Sequence, residues 1–148
     1  MSNDKINSTK RVILNCIQEL IEIIEHEHNR GLVNKLRTQQ RLLEGLDERI
    51  ERSQLPDGFV RSIINDIRLD VLMIYSEIKL LITLRKQEVA APTAKLKQQA
   101  HDRLAEYSGE TSEFVNTGNA FGTDQLSEIE LLLNRLKDIE HRLHESLL

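Results

Sequence analysis

Residues 57–89 read DGFVRSIINDIRLDVLMIYSEIKLLITLRKQEV, and this stretch decides the fold. Val60, Ile63, Ile64, Ile67, Val71, Ile74, Tyr75, Ile78, Leu81 and Ile82 recur at steps of mostly three and four, the spacing of one helical face. At about 100° per residue, Leu69, Leu72, Met73, Leu80 and Leu84 fall on roughly the opposite side. A helix apolar on two sides cannot satisfy both against one neighbour. It is either central in a bundle or meets another chain with its second stripe. At about 1.5 Å per residue the segment is about 50 Å long, more than its neighbours can cover.

The flanking sequence supplies those neighbours. Ile13, Ile17, Leu20, Ile24 and His28 mark a first helix from Ser8 or Thr9 to Arg30, closed by Gly31, with residues 1–7 expected to be disordered. Leu32, Leu36, Gln39, Leu43, Leu46 and Ile50 alternate steps of four and three, a short heptad seam ending near Ser53. Leu55-Pro56-Asp57-Gly58 then reverses the chain. Downstream, Pro92 ends or kinks the long helix, because proline has no N–H and clashes with the preceding turn. A shorter helix over Thr93–Tyr107 carries a sparse apolar face of Leu96, Ala100, Leu104 and Tyr107. Residues 108–123 hold three of the six glycines without periodicity and read as a long flexible loop, within which Phe114 and Phe121 are candidate contact residues. Leu126, Ile129, Leu132, Leu133, Leu136, Ile139, Leu143 and Leu147 form a single stripe on a last helix capped by Thr123 or Asp124.

Composition agrees with a helical bundle. Leu and Ile supply 38 of the 58 apolar residues among 148, and with six Gly and two Pro there is little turn chemistry for a many-stranded β fold. The expected fold is therefore all-α: one domain over 1–148, an elongated antiparallel bundle of four main helices plus one short helix, with a long central third helix. A net charge of −4 argues against a nucleic-acid footprint over the whole surface. The lone Cys16 excludes an intramolecular disulfide framework. Met1-Ser2-Asn3-Asp4-Lys5 lacks the apolar core of a signal peptide, and no run of about 18 apolar residues occurs. A cytoplasmic protein with no membrane contact is the expectation.

No P-loop, GxGxxG, HExxH, CxxC or GxSxG is present. Glu25-x-x-His28 and Asp138-x-x-His141 have the spacing of di-iron bundles, but Asp138 and His141 project away from the apolar stripe of their helix. His141 and His144 offer half a metal site, short of the ligands a resident ion needs. Cys16 lies in an apolar helix with no neighbouring histidine and reads as an inert core thiol. Neither cofactor, metal nor small-molecule substrate is expected.

Arg135-Leu-Lys-Asp-Ile-Glu-His141 is similar to the loose Arg-x(4–6)-His pattern of HEPN ribonucleases, which are also small helical bundles. The similarity is confined to two residues, with Leu136 where a polar residue usually follows the arginine, and six helical steps leave Arg135 and His141 about 120° apart. A basic stretch over 30–53 carries Lys35, Arg37 and Arg41 as candidate phosphate contacts for a nucleic-acid-binding regulator or subunit. The leading expectation is a non-catalytic helical interaction protein: an adaptor, assembly or secretion-type chaperone, immunity protein or small complex subunit. Leu69, Leu72, Met73, Leu80 and Leu84 would form its partner-binding stripe, with a homodimer as the expected assembly.

Overall fold

A computed structural model describes residues 2–25, 29–90, 93–108 and 126–147. The protein is all-α. Its helices are α1 (Ser2–Glu25), α2 (Arg30–Glu44), α3 (Leu46–Ser53), α4 (Asp57–Ala90), α5 (Ala94–Ser108) and α6 (Leu126–Glu145), with no strand among the described residues. Thr123, Asp124, Pro92, Phe114, Phe121 and all of the expected loop except Ser108 lie outside the described residues, as do His26 and His28.

The first helix begins earlier than its caps suggest. Residues 2–7 are helical rather than disordered, because Ile6 continues the Ile13–Ile17 face one heptad upstream and is itself buried. The break between the first two helices falls at Asn29, not at Gly31, which lies inside α2. The Asn29 side-chain oxygen accepts the Leu32 N–H at 3.1 Å, and this cap satisfies one of the donors a helix start leaves unpaired. The heptad seam is likewise not continuous to Ser53. It is interrupted at Gly45, whose N–H donates to the Arg41 carbonyl at 2.9 Å before α3 begins. Gln54, at φ 50°, then closes α3 in the left-handed region.

α4 is the hub. It packs against α2, α5 and α6 and touches α1, which in turn packs against α2 and α6. Its inward side (Val60, Ile64, Ile67, Val71, Ile74, Tyr75, Ile78, Leu81 and Ile82) meets Ile13, Cys16, Ile17, Leu20, Ile21 and Ile24 of α1 in one core. Leu32, Leu36 and Leu43 of α2 close that core on one flank, with Ile129, Leu136, Ile139 and Leu143 of α6 on the other. The polar bridges show how the helices are laid together. Along α1, residues 10, 18 and 25 meet Asp47, Gln40 and Arg37, and along α4, residues 68, 75 and 86 meet Leu143, Glu140 and Glu130. Numbers rise on one helix as they fall on the other.

The two buried arginines of α4 each find a partner through Nη1, while Arg68 Nε and Arg85 Nε and Nη2 have none among the described residues. Arg68 is buried, and its Nη1 donates at 3.3 Å to the Leu143 carbonyl in the last turn of α6, which also accepts the Ser146 N–H at 3.3 Å. α5 starts with the Thr93 hydroxyl accepting the Leu96 N–H at 3.2 Å, and it seats the buried Ala100 against α4. Arg85, 1% exposed, reaches Glu88 at 2.8 Å, and Glu88 in turn meets His101 Nδ1 of α5 at 3.3 Å.

Candidate interaction surface

Because α1 lies behind α4, with α2 along one flank and α6 along the other, one side of α4 has no helix over it among the described residues. Leu69, Met73 and Leu80 stand there at 49%, 66% and 39% exposure. By helical projection Ser62 and Ser76, both exposed, lie on the same line. The five-residue stripe read from the sequence is therefore shorter than expected. Leu72 is half-buried against the core, and Leu84 is only 5% exposed. Leu84 joins the buried cluster that α4 shares with α1, α2 and α6, while α5 packs on α4 and engages Glu88 one turn beyond it. Leu84 belongs to the protein's own core, and the ridge available to a partner runs from Leu69 to Leu80.

A groove of about 350 Å³ follows the ridge on the α2 side. Lys35, Thr38 and Gln39 form one wall, and Asp70, Met73, Ile74 and Glu77 the other. Lys35 reaches Glu77 at 3.4 Å, an exposed pair of small energetic weight. The Gln39 Oε1 is buried and has no hydrogen-bond partner. Leu42, seven residues along α2 from Lys35 and so on the same face, is also exposed.

The charges beside the ridge are sorted by sign. Toward α2 stand Asp66, Asp70 and Glu77; toward α6 stand Arg61, Lys79 and Lys86. Lys86 pairs with Glu130 at 3.6 Å, whereas Arg61, Asp66, Asp70 and Lys79 enter no ion pair among the described residues. This sorting could have been read by projecting the charged residues as well as the apolar ones.

The residues with chemical potential are dispersed. Arg135 turns to α1, where its Nη2 lies 3.0 Å from Glu22 and its Nε 3.9 Å from Glu19. His141 is 70% exposed on its side chain and pairs with Glu145 at 3.1 Å. The structure thus gives the two members of the Arg-x(4–6)-His pattern different partners. Among the described residues, no group of three or more His, Cys, Asp or Glu is placed to hold a metal ion. Burial pushes the Cys16 thiol up to about 11, so it stays protonated at neutral pH. Of the candidate phosphate contacts, Lys35 is occupied by Glu77, Arg37 lies 3.9 Å from Glu25, and Arg41 Nε donates to the Arg37 carbonyl at 3.3 Å.

One titratable pair has a well-defined geometry. The buried Tyr75 hydroxyl donates to Glu140 at 2.7 Å. That hydrogen bond holds the Glu140 carboxyl below its ordinary range, while burial and the bond together push the Tyr75 phenol far up. The pair joins α4 to α6. No described helix is long and apolar enough to cross a membrane. Comparison with family models, with curated proteins and with solved structures returns no match to this chain.

Proposed function

We propose that this chain is a non-catalytic helical interaction protein that self-associates through the outward ridge of α4, the kind of surface used by adaptors, assembly chaperones and small complex subunits. The observation that carries the reading is the exposure of Leu69, Met73 and Leu80 in line on the longest helix. Scattered single leucines on a surface need no explanation, but an aligned apolar row beside a groove is what a partner helix buries. Three side chains are short of the roughly 800 Å² per partner of a stable interface, so the groove and its polar rim must share in the contact.

The test is the Leu69→Ala/Leu80→Ala double variant. Both positions are exposed, so the urea midpoint of the monomer should move little, by about 0.5 kcal/mol or less per site. Self-association measured by sedimentation equilibrium should weaken by an order of magnitude or more. Unchanged association with an intact fold would overturn the proposal.

A further inference from the structure

The ridge has one acidic and one basic flank, and that asymmetry bears on how a second copy can lie against it. Set the line through Leu69 and Leu80 as the direction toward a partner. Asp66, Asp70 and Glu77 then lie about 60–100° to one side, and Arg61 and Lys79 about 80° to the other. When two identical helices pack face to face in the same direction, each flank meets the opposite flank of its mate. When they run in opposite directions, each flank meets its own kind. Opposed pairing centred on the ridge would set Asp70 of each copy beside Glu77 of the other, acid against acid. Same-direction pairing sets the acidic flank against Arg61 and Lys79 of the second copy.

We propose that the ridge is covered by α4 of a second copy running in the same direction about a twofold axis parallel to both helices, with Lys79 of each copy entering the other's α2–α4 groove between Asp70 and Glu77. This rests on the self-association reading above and adds its orientation and its polar contact. In same-direction pairing Lys79 leaves α4 two residues above Glu77 of the mate and nine above its Asp70, and a long lysine side chain leaning toward the N-terminus descends past Glu77 into the space above Asp70. The groove offers it the unpaired Asp70, Glu77 (shared with Lys35 in an exposed 3.4 Å pair) and the Gln39 Oε1, which has no partner among the described residues, and about 350 Å³ accommodates the end of a lysine side chain. Within its own copy Lys79 has no ion pair to give up; Glu140, the α6 carboxylate that feels its charge, is already held by Tyr75 and His144. Met73, the most exposed ridge residue, sits on the groove rim and would be covered by the same contact.

Charge reversal and directional cross-linking test this together with the absolute mass. In low salt, Lys79→Glu should weaken the dimer about tenfold, since two pairs per dimer become repulsive, and added salt should shrink the effect. Lys79→Glu/Asp70→Lys should recover most of the loss, because the exchanged charges face each other again across the twofold axis. Under oxidation, Cys16→Ala/Ser62→Cys should cross-link to itself, because same-direction pairing places position 62 beside its own mate. Opposed pairing centred on the ridge would instead link Ser62→Cys to Gln87→Cys, the exposed position on the same line at its other end, in a mixture of the two variants. A dimer that cross-links only in the mixture, or that ignores Lys79→Glu, overturns the orientation while leaving self-association standing. A wild-type chain that is monomeric throughout overturns both.

Discussion

Two surfaces of this molecule are built from the same residue types and end in opposite states. Where α1 meets α6, Glu19, Glu22, Arg135, Asp138 and Arg142 interlock: Arg142 reaches both Glu19 and Asp138, and Arg135 bridges Glu19 and Glu22. Along the outer side of α4, Arg61, Asp66, Asp70 and Lys79 enter no ion pair among the described residues and stand beside exposed Leu69, Met73 and Leu80. Folding alone resolves the first surface. On the second, the charges are sorted by sign and the apolar groups remain in water. Self-satisfied charge marks structure, and unsatisfied charge beside exposed apolar area marks a place for a partner.

The difference breaks most visibly under truncation. Leu20, fully buried on α1, should cost about 2–5 kcal/mol as Leu20→Ala, the loss of transfer energy plus an unfilled cavity. Met73→Ala should leave monomer stability within about 0.5 kcal/mol and act on association instead. Urea denaturation at low protein concentration compares the two directly, and equal costs would remove the distinction between core and ridge.

A smaller effect is expected at the seam itself. Arg142→Met deletes its contacts to Glu19 and Asp138, but these side chains are about a third or more exposed and solvent screens them. The loss should be about 1 kcal/mol or less and should shrink with salt. Lys79→Ala, by contrast, removes only a solvent-screened attraction to Glu140 and should change monomer stability by about 0.3 kcal/mol or less.

The pH dependence sharpens the comparison at the α4–α6 contact. Because Glu140 titrates below its ordinary range in the folded chain, the unfolded state takes up its proton first as pH falls. Its stabilising contribution is therefore complete above the ordinary carboxyl range and is lost as pH drops through the folded value. Tyr75→Phe should lower stability at neutral pH by about 1 kcal/mol and flatten the acid limb of the stability profile. An acid limb identical to wild type would show that the hydrogen bond is not what depresses Glu140.

Much of this was legible in the sequence, and what was missed has physical causes. The limits of α4 followed from the Pro56–Gly58 turn upstream, and its two apolar sides followed from periodicity. That Leu84 would join the core while Leu80 stays open depends on how the other helices lie against α4, a tertiary fact with no local signal. Gly31 resembles a helix terminator, but glycine also tolerates the helical interior, and the Asn29 cap prevailed. A single isoleucine in a polar N-terminal stretch was too weak a periodic signal to extend α1, although Ile6 packs into the core. The sorting of charge across α4 was readable in advance. The groove with its orphan Gln39 oxygen was not, since it exists only once α2 lies against α4.

The most direct test is the absolute mass of the untagged chain in solution, by light scattering after size exclusion across a range of concentrations. A species of twice 17.1 kDa that falls to the monomer in the Leu69→Ala/Leu80→Ala variant is the predicted result. A wild-type chain that stays at 17.1 kDa at every concentration would contradict self-association through α4.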